Sequence, residues 1–214
     1  MSEVSAPSVD GFERLGPGRL VLVVGPSGAG KDTLLNLARS ECAGDDRIVF
    51  PRRVVTRAAS AFEDNEEMGE APFREALAAG AFALHWDAHG HGYGVPRAIT
   101  DDIVAGRTVV VNVSRTVIPA ARRDYADVTV VEITAPADVL AERLGKRHRP
   151  SDTDIGERLH RTVTGDTVAA DVTIVNVGDP EPHGHRLAVL IKRPRDEAPV
   201  GSTGESGYVD HQHD

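Results

Sequence analysis

LVLVVGPSGAGKDTLLNLA, residues 20–38, is the stretch that decides the fold. Leu20-Val21-Leu22-Val23-Val24 is an unbroken apolar run, the pattern of a strand buried on both faces. Thr33-Leu34-Leu35-Asn36-Leu37-Ala38 reads as a helix. Between them lies a glycine-rich turn ending in lysine, and strand, turn and helix together are the context a phosphate-binding loop requires. Gly25, Gly28 and Gly30 let backbone amides approach a phosphate with no Cβ in the way. The helix adds its positive end, and Lys31 can reach the β- and γ-phosphates. Gly25, Pro26, Ser27, Gly28, Ala29, Gly30, Lys31, Asp32 and Thr33 are therefore candidate ATP-binding residues.

Asp32 is the anomaly, since this position of the loop normally carries Ser or Thr. A hydroxyl there would give Mg2+ a neutral oxygen, whereas a carboxylate gives it a charged one, bound directly or through water. Thr33 is an alternative hydroxyl one residue on, so Asp32 and Thr33 are the candidate metal residues. Asp32 also suits the first turn of a helix, where exposed amides stabilise a negative charge.

Outward from the loop, the 214-residue chain is long enough for one domain with a substantial core. A formal net charge of −9 argues against a general nucleic-acid binder. A single cysteine, Cys42, rules out a disulfide framework and suits a reducing cytosol, so a cytoplasmic location is expected. No apolar run reaches membrane-spanning length and the N-terminus lacks a signal pattern, so no membrane partner is expected. Residues 1–17 and 192–214 are polar and turn-rich and read as flexible extensions, leaving a single domain over 18–191. No motif sets an oligomeric state, and a homo-oligomer is compatible with the sequence.

Within the domain, strand candidates near 20–24, 47–50, 108–113, 128–133 and 172–177 alternate with helical stretches near 31–41, 72–79, 97–104, 136–145 and 152–169. Thr108–Val113 and Val128–Ile133 are rich in β-branched residues, as in strands of a parallel sheet covered on both faces. Pro136 is placed to open a helix. The expected fold is a three-layer α/β/α arrangement around a mainly parallel sheet.

A second anion site is signalled by arginine. Arg52, Arg53 and Arg57 surround the short extended run RRVVTR. Arg143 and Arg147 stand four apart on one helix face, with Arg149, Arg158 and Arg161 beyond. Phosphoryl transfer needs such a clamp because negative charge spreads over the migrating group.

These words, in this order and spacing, resemble the guanylate-kinase-like branch of the nucleoside monophosphate kinases over residues 19–177. GPSGAGK is similar to that family's ATP loop, RVVTR to its acceptor-phosphate segment and HGHGYGV to its G-x-x-Y-G segment. The departures are as informative. The second arginine after Thr-Arg is missing, the guanine-reading glutamate is Leu84, and the hydroxyl residue after Tyr-Gly is Val95. A site built for guanine would then be left with poor polar pairing. GPSGAGKD, RVVTR, LHWDAHGHGYGV and VNVSR instead resemble the ribose 1,5-bisphosphate phosphokinases of phosphonate degradation, including the aspartate after the lysine.

That resemblance implies ATP-dependent phosphorylation of the anomeric phosphate of α-D-ribose 1,5-bisphosphate, giving 5-phospho-α-D-ribose 1-diphosphate and ADP, with Mg2+. It implies an acceptor-binding region over about 52–96 and a small helical lid over about 143–161. Lys31, Arg143, Arg147 and Arg158 would act on the reacting phosphates, and Arg53, Arg57 and Tyr93 would hold the acceptor phosphate. Trp86, Asn112, Ser114 and Arg115 are further substrate candidates, the last three at the C-terminal end of a central strand. Asn176 is a candidate to lie beside the adenine or to cap its strand. The alternatives are a guanylate kinase, another small kinase with a phosphorylated acceptor, and a nucleotide-binding module without catalysis.

Overall fold

The apolar run that leads into the loop forms β1 (Arg19–Val24), and every one of its residues is buried in the computed structural model. The structure describes residues 13–57, 64–146 and 170–193. β1 is the middle strand of a five-stranded sheet with β2 (Ile48–Val49), β7 (Thr108–Asn112), β8 (Val128–Thr134) and β9 (Val172–Val175), in the order β2-β7-β1-β8-β9. All of its pairings are parallel.

Successive side chains of a strand point to opposite faces, and here the two sets enter different cores. Leu20, Leu22 and Val24 join Val109, Val111 and Val130 in one cluster. Val21 and Val23 join Val110, Val131 and Ile133 in the other. The second cluster is closed by Leu34 and Ala38 of α1 (Lys31–Glu41), Leu140 of α5 (Ala137–Lys146), and Leu187 and Ile191 of α6 (Pro180–Lys192). The first is closed by Ile99 and Ile103 of α3 (Ile99–Val104) and by Ile118 and Ala121 of α4 (Ile118–Asp124). The result is the expected three layers. Fully burying one Val, Leu or Ile is worth about 1.5–3 kcal/mol, so the doubly covered β1 is a firm post for the loop at its end.

A second sheet completes the first cluster. It comprises β3 (Arg53–Val55), β4 (Asn65–Glu67), β5 (Phe82–Ala88) and β6 (His91–Pro96), in the order β4-β3-β6-β5. Leu84, Trp86, Tyr93 and Val95 project from it into the same core as Leu20 and Leu22. On its other side Phe73 of α2 (Glu70–Ala78) stacks on Phe82 with ring centroids 4.8 Å apart.

Several expected boundaries shift. The strand expected over 47–50 is reduced to Ile48–Val49, and the one expected to 177 ends at Val175. The expected helix at 152–169, and most of the expected lid, lie outside the described residues. The periodicity predicts no helix over residues 180–192, where two prolines and a glycine discourage one. Yet Pro180 occupies the first turn, where a missing N–H costs nothing, and the Asp179 carboxylate accepts from Glu181 N at 3.1 Å. Gly184 is required by close packing on α1: a Cβ there would stand 2.6 Å from Leu37 Cβ.

Candidate active site

The C-terminal ends of β7, β1 and β8 open together at the point where the strand order departs to either side of β1, the usual place for a ligand in such a sheet. The loop leaves β1 here. Lys31 Nζ donates to the carbonyls of Gly25 and Pro26, each at 2.9 Å, which holds the ammonium across the loop. Gly30 has φ 86°, and a Cβ on it would meet Asn176 Nδ2 at 2.4 Å. That same Nδ2 donates to Ala29 O at 2.7 Å, so Asn176, only 3% exposed, pegs the loop. Gly30 caps α1 with no side-chain bond, which leaves the helix's first amides directed at the site.

Two buried polar atoms at this loop have no hydrogen-bond partner among the described residues, Asn176 Oδ1 and Arg143 Nη1. Arg143 Nη1 lies 3.9 Å from where a Gly30 Cβ would be. A buried guanidinium nitrogen without an acceptor is costly, and an anionic ligand on the loop would satisfy it.

The arginine-lined segment of the second sheet adjoins the loop through a hydrogen-bonded chain. Asn112 Nδ2 donates to Asp32 Oδ1 at 2.9 Å, and Arg53 Nη1 donates to Asn112 O at 3.1 Å. Arg53 Nε donates in turn to Asn65 Oδ1 at 3.2 Å. Asp32, Arg39, Phe50, Arg53, Asn65 and Asn112 line an open cleft. On β6, the Tyr93 hydroxyl accepts from Arg57 Nε at 3.4 Å, and the Tyr93 ring stacks on Trp86 with centroids 5.3 Å apart.

Comparison with known proteins decides the family. The chain is 57% identical over 192 residues to the ribose 1,5-bisphosphate phosphokinase PhnN of Bradyrhizobium diazoefficiens, covering 90% of this chain and 97% of that protein. It belongs to the ribose 1,5-bisphosphate phosphokinase family. Proteins of the same description from Rhodopseudomonas palustris and Methylobacterium radiotolerans are 60% and 53% identical, over 85% and 82% of this chain and 92% and 98% of theirs. No family model matches the chain. A guanylate kinase from Anaplasma phagocytophilum shares the fold, with a TM-score of 0.60 and 22% identity over 81% of this chain and 84% of that one.

For a phosphokinase of this family the structure sorts the expected residues into groups. Gly25 to Asp32, Asn112 and Arg53 come together around the loop and cleft, with Arg143 against Gly30. Arg57 and Tyr93 meet on the second sheet. Trp86 is packed in the core at 8% exposure, with its ring stacked on that of Tyr93. Asn176 is buried, donating to Ala29 O of the loop. Thr33 is exposed on the first turn of α1. Ser114 caps the short turn Arg115–Val117, and Arg115 Nη2 pairs with Glu132 Oε1 at 2.7 Å. Arg147 and Arg158 lie outside the described residues.

Asn65 and Asp64 also line the cleft, and the motifs did not single them out. Asp64 bridges Arg52 at 2.8 Å and Arg39 of α1 at 3.2 Å. Their one signal in the sequence is a short polar segment following an arginine-rich strand.

Proposed function

We propose that this chain transfers the γ-phosphoryl group of ATP to the 1-phosphate of ribose 1,5-bisphosphate, giving 5-phosphoribosyl 1-diphosphate and ADP. The observation that carries this reading is the 53–60% identity to proteins of that description over 82–90% of the chain. The buried Leu84 and Val95 support a sugar over guanine, because neither side chain can pair a base edge.

In the proposed reaction an oxygen of the 1-phosphate attacks the γ-phosphorus, the bond from that phosphorus to the bridging oxygen breaks, and ADP departs. The attacking oxygen is already an anion, so positioning and charge neutralisation are the whole task. Lys31 and the loop amides hold the triphosphate, and the Arg143 guanidinium finds its missing acceptor there. Arg53, Arg57 and Tyr93 hold the acceptor phosphate. Asn112, Ser114 and Arg115 are assigned to the sugar side. Arg147 and Arg158 are assigned to closure within a lid over residues 143–161, and 18–191 is the catalytic unit.

Asp32 fits a magnesium site of the kind in which one carboxylate, phosphate oxygens and waters share the ion. Mg2+ would there offset charge on the β- and γ-phosphates. Asn112 fixes one oxygen of Asp32 and so orients the other. The buried, unpaired Cys42 suits a cytoplasmic setting, and among the described residues no helix is long and apolar enough to cross a membrane.

The test supplies purified protein with ATP, Mg2+ and either ribose 1,5-bisphosphate or GMP, and identifies the products. Phosphoribosyl diphosphate without GDP is expected; rapid GDP formation beside an inert sugar would reverse the assignment.

A further inference from the structure

We propose that Asn65 is a positioning residue for the acceptor phosphate, acting by fixing the plane of the Arg53 guanidinium. The proposal rests on Arg53 holding that phosphate, as set out above. Asn65 opens the three-residue strand β4, in parallel register with Arg53 of β3. In-register neighbours on adjacent strands share a face of the sheet, so the two side chains meet there.

Burial separates Asn65 from the rest of its strand. It is 5% exposed, whereas Glu66 and Glu67 are exposed to solvent. A buried amide is costly unless hydrogen-bonded, and its Oδ1 takes Arg53 Nε at 3.2 Å. The Asn65 backbone is fixed as well, since its carbonyl accepts from Arg52 Nη2 at 2.9 Å. The preceding Asp64 is held by Arg52 and by Arg39 of α1. The second grip on Arg53 comes from the main sheet, where Asn112 O accepts from Nη1 at 3.1 Å.

Two acceptors on separate elements thus fix the guanidinium at two of its nitrogens. Arginine recognises phosphate by a planar fork, and that recognition fails if the plane can turn. With Asn65 removed, the grip on Nε is gone and the plane of the fork is held less firmly. Because Asn112 also donates to Asp32, the same chain sets the acceptor arginine in register with the ATP loop.

Steady-state kinetics on Asn65→Leu, Arg53→Ala and the double variant test this. Asn65→Leu is expected to raise the acceptor KM about tenfold, the order for losing one hydrogen bond to a charged group. The ATP KM should stay within about twofold of wild type, and Asn65→Leu should add no more than that to Arg53→Ala. A merely structural Asn65 would instead raise both KM values together, or show its full effect in the Arg53→Ala background, and either result overturns the proposal. An acceptor KM raised by Arg53→Ala but not by Asn65→Leu refutes this inference alone. An acceptor KM unmoved by Arg53→Ala refutes the assignment of Arg53 and this inference with it. Asn65→Ala, read in the same way, takes the place of a leucine variant that does not fold.

Discussion

Replacing Asn176 with alanine cuts the peg beneath the ATP loop. The bond lost is 2.7 Å long and joins a side chain 3% exposed to the carbonyl of Ala29, itself 0% exposed. A buried carbonyl left without its donor costs about 1–3 kcal/mol. One term opposes this, because Asn176 Oδ1 is already buried without a partner and goes with the side chain. The net loss should therefore fall in the lower part of that range, about 1–2 kcal/mol. For a chain of this size that corresponds to a fall in Tm of roughly 2–8 °C. Function should suffer selectively, because the loop amides would no longer be preorganised for the triphosphate. The ATP KM should rise about tenfold, equivalent to about 1.4 kcal/mol of lost preorganisation, while the acceptor KM stays close to wild type. Thermal melts with and without ATP, beside initial rates at varied ATP and varied acceptor, give both numbers. A lower Tm with an unchanged ATP KM would refute the claim that the peg shapes the loop. An unchanged Tm would refute the energetic argument itself.

Arg143→Met keeps the apolar stem but removes a buried nitrogen that has no acceptor among the described residues; turnover should fall by about 10²–10³-fold while Tm holds or rises, and a clear loss of Tm would contradict this. Asp32→Asn should move the magnesium dependence of the rate to higher concentration, and an unchanged titration curve would count against metal contact. Gly184→Ala should cost about 1–3 kcal/mol by overpacking against Leu37, visible as a lower denaturation midpoint; an unshifted midpoint would show that the two helices part freely. Burial pushes the Cys42 thiol above its ordinary range, so the folded chain should react slowly with a thiol reagent at neutral pH and rapidly in denaturant. A thiol raised in the folded state favours folding below the unfolded pKa, a contribution lost as pH rises through the folded value; fast native labelling would contradict its burial.

The centre of the main sheet was legible because β1 and β7 are buried on both faces and so read as unbroken apolar runs, as Leu20–Val24 and Val109–Val111 do. The second sheet was harder. Asn65–Glu67 is a short polar strand, and Gly92 and Gly94 make His91–Pro96 look like a loop. Arg53–Val55 falls in the run read as extended, while Phe82–Ala88 was not among the strand candidates although Phe82, Leu84 and Trp86 are buried and His85 and Asp87 exposed in alternation. The loop and the arginine pair were legible as motifs because backbone geometry and phosphate chemistry fix their residue types. Asn65 was not, because a hydrogen bond across 12 residues depends on how two strands register. Asn176 was singled out by its place at a strand end, but its bond to the loop was not, since its partner lies 147 residues away.

The division of β1 between two cores has a consequence for how such an enzyme can change over generations. Val21 and Val23 share their cluster with Ala29, α1 and α5, the elements around the nucleotide. Leu20, Leu22 and Val24 share theirs with Leu84, Trp86, Tyr93 and Val95 of the second sheet. One strand is thus a party wall between two rooms. On the proposed assignment of Arg57 and Tyr93 to the acceptor phosphate, a substitution that repacks the second sheet perturbs one face of the wall, while the cluster on the other keeps its own contacts. Drift in acceptor preference can therefore proceed by small repacking steps among the even-numbered residues of β1 and their partners, with the ability to use ATP kept intact throughout.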